Sequence, residues 1–76
     1  MGELPDDVHK ALDNRFGRGR YFAASRMDGD ELRLQIEIAE RPNTIFLRTL
    51  TDRPWANERV TAAWRELAAE VMERGR

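Results

Sequence analysis

The run Leu32-Arg33-Leu34-Gln35-Ile36-Glu37-Ile38 constrains this chain more than any other stretch. Apolar and polar residues alternate without a break, which is the two-residue period of an extended strand with one face buried and the other in water. A helix would scatter these side chains around its axis. The chain therefore needs a sheet, and the sheet needs an apolar layer across one face.

The sequence just upstream supplies a partner strand. Residues 20–27 and 31–39 read as a β-hairpin closed by Asp28-Gly29, because glycine accepts the positive φ that a two-residue turn demands. A turn centred there pairs Met27 with Asp30, Arg26 with Glu31 and Arg20 with Glu37, and both charge pairs are complementary. It also sends Tyr21, Ala23 and Ser25 to the side of the leucines and Phe22 to the other. Glu40-Arg41-Pro42-Asn43 is a turn by composition, and Thr44 to Leu50 is a third strand returning antiparallel to the second. Its two faces are both apolar: Ile45 and Leu47 on one, Phe46 and Leu50 on the other.

Two helices complete the chain. Leu4, Val8, Ala11, Leu12 and Phe16 recur at helical spacing, with Pro5, Asp6 and Asp7 at the start and Gly17 at the end, so a first helix is expected over residues 5–15. Val60, Ala63, Trp64, Leu67 and Val71 mark the second, with Thr51-Asp52-Arg53-Pro54 as its cap and first turn and Glu66, Glu70, Arg65, Glu73 and Arg74 on its wet side. The expected fold is α+β in the order α-β-β-β-α, one domain over residues 1–76. A three-stranded antiparallel meander has both helices on one face. Nothing remains to cover the other face, which should be polar unless something binds it.

With 76 residues and no cysteine, the chain has neither a disulfide framework nor a thiolate metal site, and domains of this size often gain stability by association. No apolar run approaches the roughly 20 residues of a membrane span, and acids occupy the N-terminal positions where a secretory signal carries bases. A cytoplasmic location is expected. The net charge of −1 gives no global attraction to nucleic acid, so any basic surface must be local.

The candidate chemistry is sparse. His9 is the only histidine and Ser25 the only serine, and neither has a positioned partner in sequence, so no catalytic residue is assigned. Asp28-Gly29-Asp30 begins like a calcium loop but lacks the later ligands, and a hairpin turn explains it better. No metal site or cofactor is expected. Arg15-Phe16-Gly17-Arg18-Gly19-Arg20-Tyr21-Phe22 interleaves arginines, glycines and aromatics as nucleic-acid binders do, which makes Arg15, Arg18, Arg20 and Arg26 candidate contacts to phosphates or bases.

On the register above, the open face carries Arg20, Phe22, Arg26, Arg33, Gln35, Phe46, Arg48 and Leu50, interleaved with Glu31 and Glu37. Aromatic, arginine and aliphatic side chains in such a mixture anchor protein interfaces, while the acids weaken a phosphate-binding role. Phe22, Arg33, Phe46, Arg48 and Leu50 are therefore the expected partner-binding residues. Trp55, nine residues before the core-facing Trp64, either caps one end of the core or is an exposed contact. In element order alone the chain resembles double-stranded RNA-binding domains. Their lysine-rich patch and Gly-Pro hairpin loop have no counterpart in Pro54-Trp55-Ala56-Asn57-Glu58-Arg59 or Asp28-Gly29, so no family is claimed. The expectation is a non-catalytic interaction module, an inhibitor, adaptor or regulatory subunit of the kind carried by phages and mobile elements. Its partner is a protein, self or heterologous. The alternative is nucleic-acid binding through the arginine-rich loop.

Overall fold

A computed structural model describes residues 4–40, 42–51 and 53–74. The elements run α1 (Asp6–Phe16), β1 (Tyr21–Asp28), β2 (Glu31–Ile38), β3 (Thr44–Leu50) and α2 (Asn57–Arg74). The sheet is antiparallel in the order β1-β2-β3, so the alternating strand lies at the centre. Both helices lie on one face, giving the α+β meander that the hydrophobic pattern implies.

Leu32, Leu34, Ile36 and Ile38 all point into the core, and the three last are at most 1% exposed. Above them lie Val8 and Leu12 of α1 and Ala63, Trp64, Leu67, Ala68 and Val71 of α2. Ala11 of α1 is exposed, at the edge of the apolar stripe. α1 ends where the Gly17 N–H donates to the Asp13 carbonyl at 2.9 Å. Gly17 sits at φ 95° and ψ 149°, a conformation open essentially to glycine alone. α2 begins at Asn57, later than the cap expected at residues 51–54; Ala56 offers its carbonyl to the N–H groups of Arg59 and Val60. Asp52, part of that expected cap, lies outside the described residues, as does Arg41 in the expected turn.

The hairpin register differs from the expected one. Asp28 faces Glu31, so the turn is Gly29-Asp30, with Gly29 at φ 64° in the first central position. Arg26 then faces Arg33, not Glu31, and Glu37 faces Phe22, not Arg20. The shift brings Met27, Ser25, Ala23 and Tyr21 opposite Leu32, Leu34, Ile36 and Ile38, so every inward residue of β2 has a cross-strand neighbour. Under the charge-pair register Ile38 would have had none. Arg33 compensates for its like-charged neighbour by bonding Asp28 at 3.0 Å and Glu31 at 3.4 Å. Because the pairing moves by an even step, the inward and outward sets of β1 are unchanged.

The third strand requires a larger correction. Leu50, Arg48, Phe46 and Thr44 pair with Leu32, Leu34, Ile36 and Ile38, so they share the covered face. Phe46 and Leu50 are each only 7% exposed and belong to the core; Ile45 and Leu47 point outward. Alternation could not decide between two apolar faces. The register with β2 places Phe46 and Leu50 opposite Ile36 and Leu32, in the core beneath the helices, and leaves Ile45 and Leu47 outside.

This parity gives a sharp contrast between neighbours. Phe46→Asp should bury an unpaired carboxylate and unfold the domain at 25 °C, a cost of several kcal/mol against a total near 5 kcal/mol. Leu47→Asp should leave the urea midpoint nearly unchanged, within about 0.5 kcal/mol. Equal effects on denaturant melts would refute the assigned orientation of β3.

Candidate functional site

The outer face of the sheet is built from every second residue of each strand. Three rows cross it: Phe22-Glu37-Ile45, Ala24-Gln35-Leu47 and Arg26-Arg33-Thr49, followed at the hairpin end by Asp28 and Glu31. Phe22 is 63% exposed, Ile45 54% and Leu47 63%. Apart from Met27, which lies at the hairpin end of edge strand β1, these are the large apolar side chains the described residues leave in water. They lie on the two edge strands, with a polar stripe of Glu31, Arg33, Gln35 and Glu37 on β2 between them. Ala24, Arg26, Arg33, Gln35 and Leu47, with Ser25, line a shallow depression near the middle.

The expected partner-binding set therefore divides. Phe22 and Arg33 lie on this face; Phe46 and Leu50 are in the core; Arg48 is on the opposite side of the sheet. The Arg48 guanidinium reaches Glu66 at 3.1 Å and Glu70 at 3.3 Å on α2, one turn apart, and so ties β3 to the helix above it. Two residues that sequence reasoning passed over, Ile45 and Leu47, take the vacated places. The signal for them was the apolar pair on the other side of β3, set aside when the faces were assigned.

The arginine loop does not gather into one basic surface. Arg15 lies over the Phe16 ring at 5.9 Å, Arg18 and Arg20 are exposed in the connection to β1, and Arg26 sits on the sheet face beside Arg33, which already holds two acids. Acids thus remain interleaved with bases across the face. Trp55 is half-buried against the core, donates its indole N–H to the Thr51 carbonyl at 2.9 Å, and has Arg53 over its ring at 5.7 Å. It caps one end of the core.

A polar cluster between α1 and β1 was also missed. The Tyr21 hydroxyl donates to Asp13 Oδ1 at 2.6 Å and lies 2.7 Å from His9 Nδ1, while His9 Nε2 is 3.5 Å from Asp13 Oδ2. His9 and Asp13 are one helical turn apart, so one face of α1 presents both to the start of β1. On another side of α1, Arg65 of α2 donates to Asp7 at 2.9 Å and holds that carboxyl below its ordinary range. The geometry of the Tyr21 cluster is that of a clamp between helix and strand.

Partial burial, then the bond to Asp13, pushes the Tyr21 hydroxyl up from 10.0 to about 12. A raised folded-state value favours the folded chain fully below the unfolded value near 10 and loses that advantage as pH rises toward 12. Tyrosinate absorbance should therefore titrate above pH 11, assignable because Tyr21 is the only tyrosine. Asp13→Asn should lower that midpoint; titration near 10 in the native chain would show that the clamp does not form. Comparison with protein families, with curated proteins and with solved structures finds no match for this chain.

Proposed function

We propose that this chain is a small non-catalytic interaction module, of the inhibitor, adaptor or regulatory-subunit kind, that binds a protein through the outer face of its sheet. The observation that carries this reading is the set of three large apolar side chains, Phe22, Ile45 and Leu47, held in water on one face of the sheet, with Met27 the other exposed large apolar side chain among the described residues. Exposing them costs solubility without helping the fold, and an apolar patch with a polar stripe through it matches the make-up of protein interfaces. Arg26 and Arg33 add the polar anchors that such interfaces favour.

Nucleic-acid binding through Arg15, Arg18, Arg20 and Arg26 draws less support, because these residues are spread over the end of α1, the connection and β1, and the sheet face carries Asp28, Glu31 and Glu37 among its bases. Phosphate binding depends on many cations acting together and weakens steeply with salt.

Tagged protein incubated with lysate of its source cell, with and without nuclease, separates the two readings. The expected result is a protein retained in near-equal amount after nuclease treatment and lost when the bait carries Leu47→Asp, with retention changing little between low and moderate salt. Bound material that disappears with nuclease, or that ignores Leu47→Asp, overturns the proposal.

A further inference from the structure

The outer face is self-complementary. We infer that its occupant is a second copy of this chain, packed face to face around a two-fold axis that crosses the strands through the Ala24-Gln35-Leu47 row. This rests on the interaction reading above and names its partner.

Two closed arrangements place one such face on another copy of itself, and they differ in what meets at the centre. An axis parallel to the strands lays each row on itself in reverse. Phe22 then covers Ile45 of the second copy, a favourable contact, but Glu37 meets Glu37 and Arg33 meets Arg33 in the middle of the contact. Like charges brought together and stripped of water cost several kcal/mol, more than the two symmetric aromatic-aliphatic contacts return.

An axis across the strands lays the first row on the third. Glu37 then meets Arg33 of the second copy, and the symmetric pair forms on the other side of the axis. Phe22 meets Arg26, whose guanidinium can lie on the ring; Ile45 meets Thr49, and Leu47 meets Leu47 beside the axis. No like charges meet in this arrangement, and the small Ala24 leaves room beside Gln35 where the face is already depressed. Arg33 would exchange part of its hold on Asp28 and Glu31, which are exposed pairs of little individual worth. Aligned sheet packing needs only a modest tilt of the axis.

The area sets the size class of the contact. Three strands about 4.8 Å apart with a rise near 3.3 Å per residue present a face of roughly 26 by 14 Å. Two such faces with their corrugation hide on the order of 1,000 Å², the low end for a specific interface. Weak, reversible association is expected, with its strength set by the contacts more than by the area.

Sedimentation of the purified chain from about 1 μM to 1 mM tests this, with circular dichroism confirming that each variant is folded. The expected result is a monomer–dimer equilibrium. Arg33→Glu and Glu37→Arg should each weaken it about tenfold or more, and the double variant R33E/E37R should return it to within about threefold of the native value. Any fold damage from placing a third acid near Asp28 and Glu31 would not be repaired by a change at Glu37, so restoration reports the contact between copies. A chain monomeric at every concentration, single variants that dimerise normally, or a double variant no better than the singles overturns the inference. A monomer that still retains a lysate protein in a Leu47-dependent way overturns the self-association alone; a monomer with no such retention removes the interaction reading as well.

Discussion

Everything in this domain hangs on the inward row of β2. Leu32, Leu34, Ile36 and Ile38 lie on the central strand, are bordered by β1 and β3, and are roofed by Trp64, Leu67 and Val71 of α2 and Leu12 of α1. Each buried side chain of this kind contributes about 1.5–3 kcal/mol by leaving water, and in a chain of this length no second core exists to share the work. The indole N–H of Trp64 is buried without a hydrogen-bond partner among the described residues. An orphaned donor of this sort costs about 1–3 kcal/mol, and the packing of the whole ring over the sheet outweighs it.

Polar contacts then fix how the helices lie on that row. Tyr21 joins β1 to α1 through Asp13 and His9, Arg65 joins α2 to α1 through Asp7, and Arg48 joins β3 to α2 through Glu66 and Glu70. All are at least partly exposed, so each adds little energy. What they add is direction. Arg48 occupies an inward-facing position of β3 and would be costly there without acids at the margin of α2. The fork of two glutamates one turn apart lets an otherwise misplaced charge snorkel to the edge of the helix.

The elements and their order were legible because their periods are unambiguous: strict alternation in β2, a 3.6-residue stripe in α2. β1 was assigned correctly by face and wrongly by register. The Arg26–Glu31 and Arg20–Glu37 pairs were plausible, yet surface charge pairs are worth a few tenths of a kcal/mol, less than giving Ile38 a cross-strand neighbour. β3 failed for a different reason. Thr44-Ile45-Phe46-Leu47-Arg48-Thr49-Leu50 is apolar on both sides, so the pattern lacked the polar residues that mark an outward face, and Arg48 pointed to the wrong one. Had Glu66 and Glu70 been read as partners for an inward arginine, the site would have been Ile45 and Leu47 from the start. The Tyr21 clamp was invisible for want of any local signal linking residues twelve apart.

The same register that defeated the charge-pair argument decides which β1 residues flank the β2 charges on the outer face. With Asp28 opposite Glu31, the basic row Arg26-Arg33 falls one step from the centre row toward the hairpin, and the row with Glu37 falls one step the other way. The expected register would have set Arg26 beside Glu31, Arg20 beside Glu37 and Ala24 beside Arg33, so that neither Arg26 nor Phe22 would lie in the rows on either side of Gln35. As folded, β2 places Arg33 and Glu37 at equal distances on either side of Gln35, with apolar groups at the flanks. A face so arranged is nearly neutral as a whole and polar down its centre, which limits indiscriminate apolar association while making one antiparallel approach more favourable than its alternative. The β2 sequence sets the two charges about Gln35, and the inward apolar ladder, by choosing the register, adds Phe22 and Arg26 to their rows.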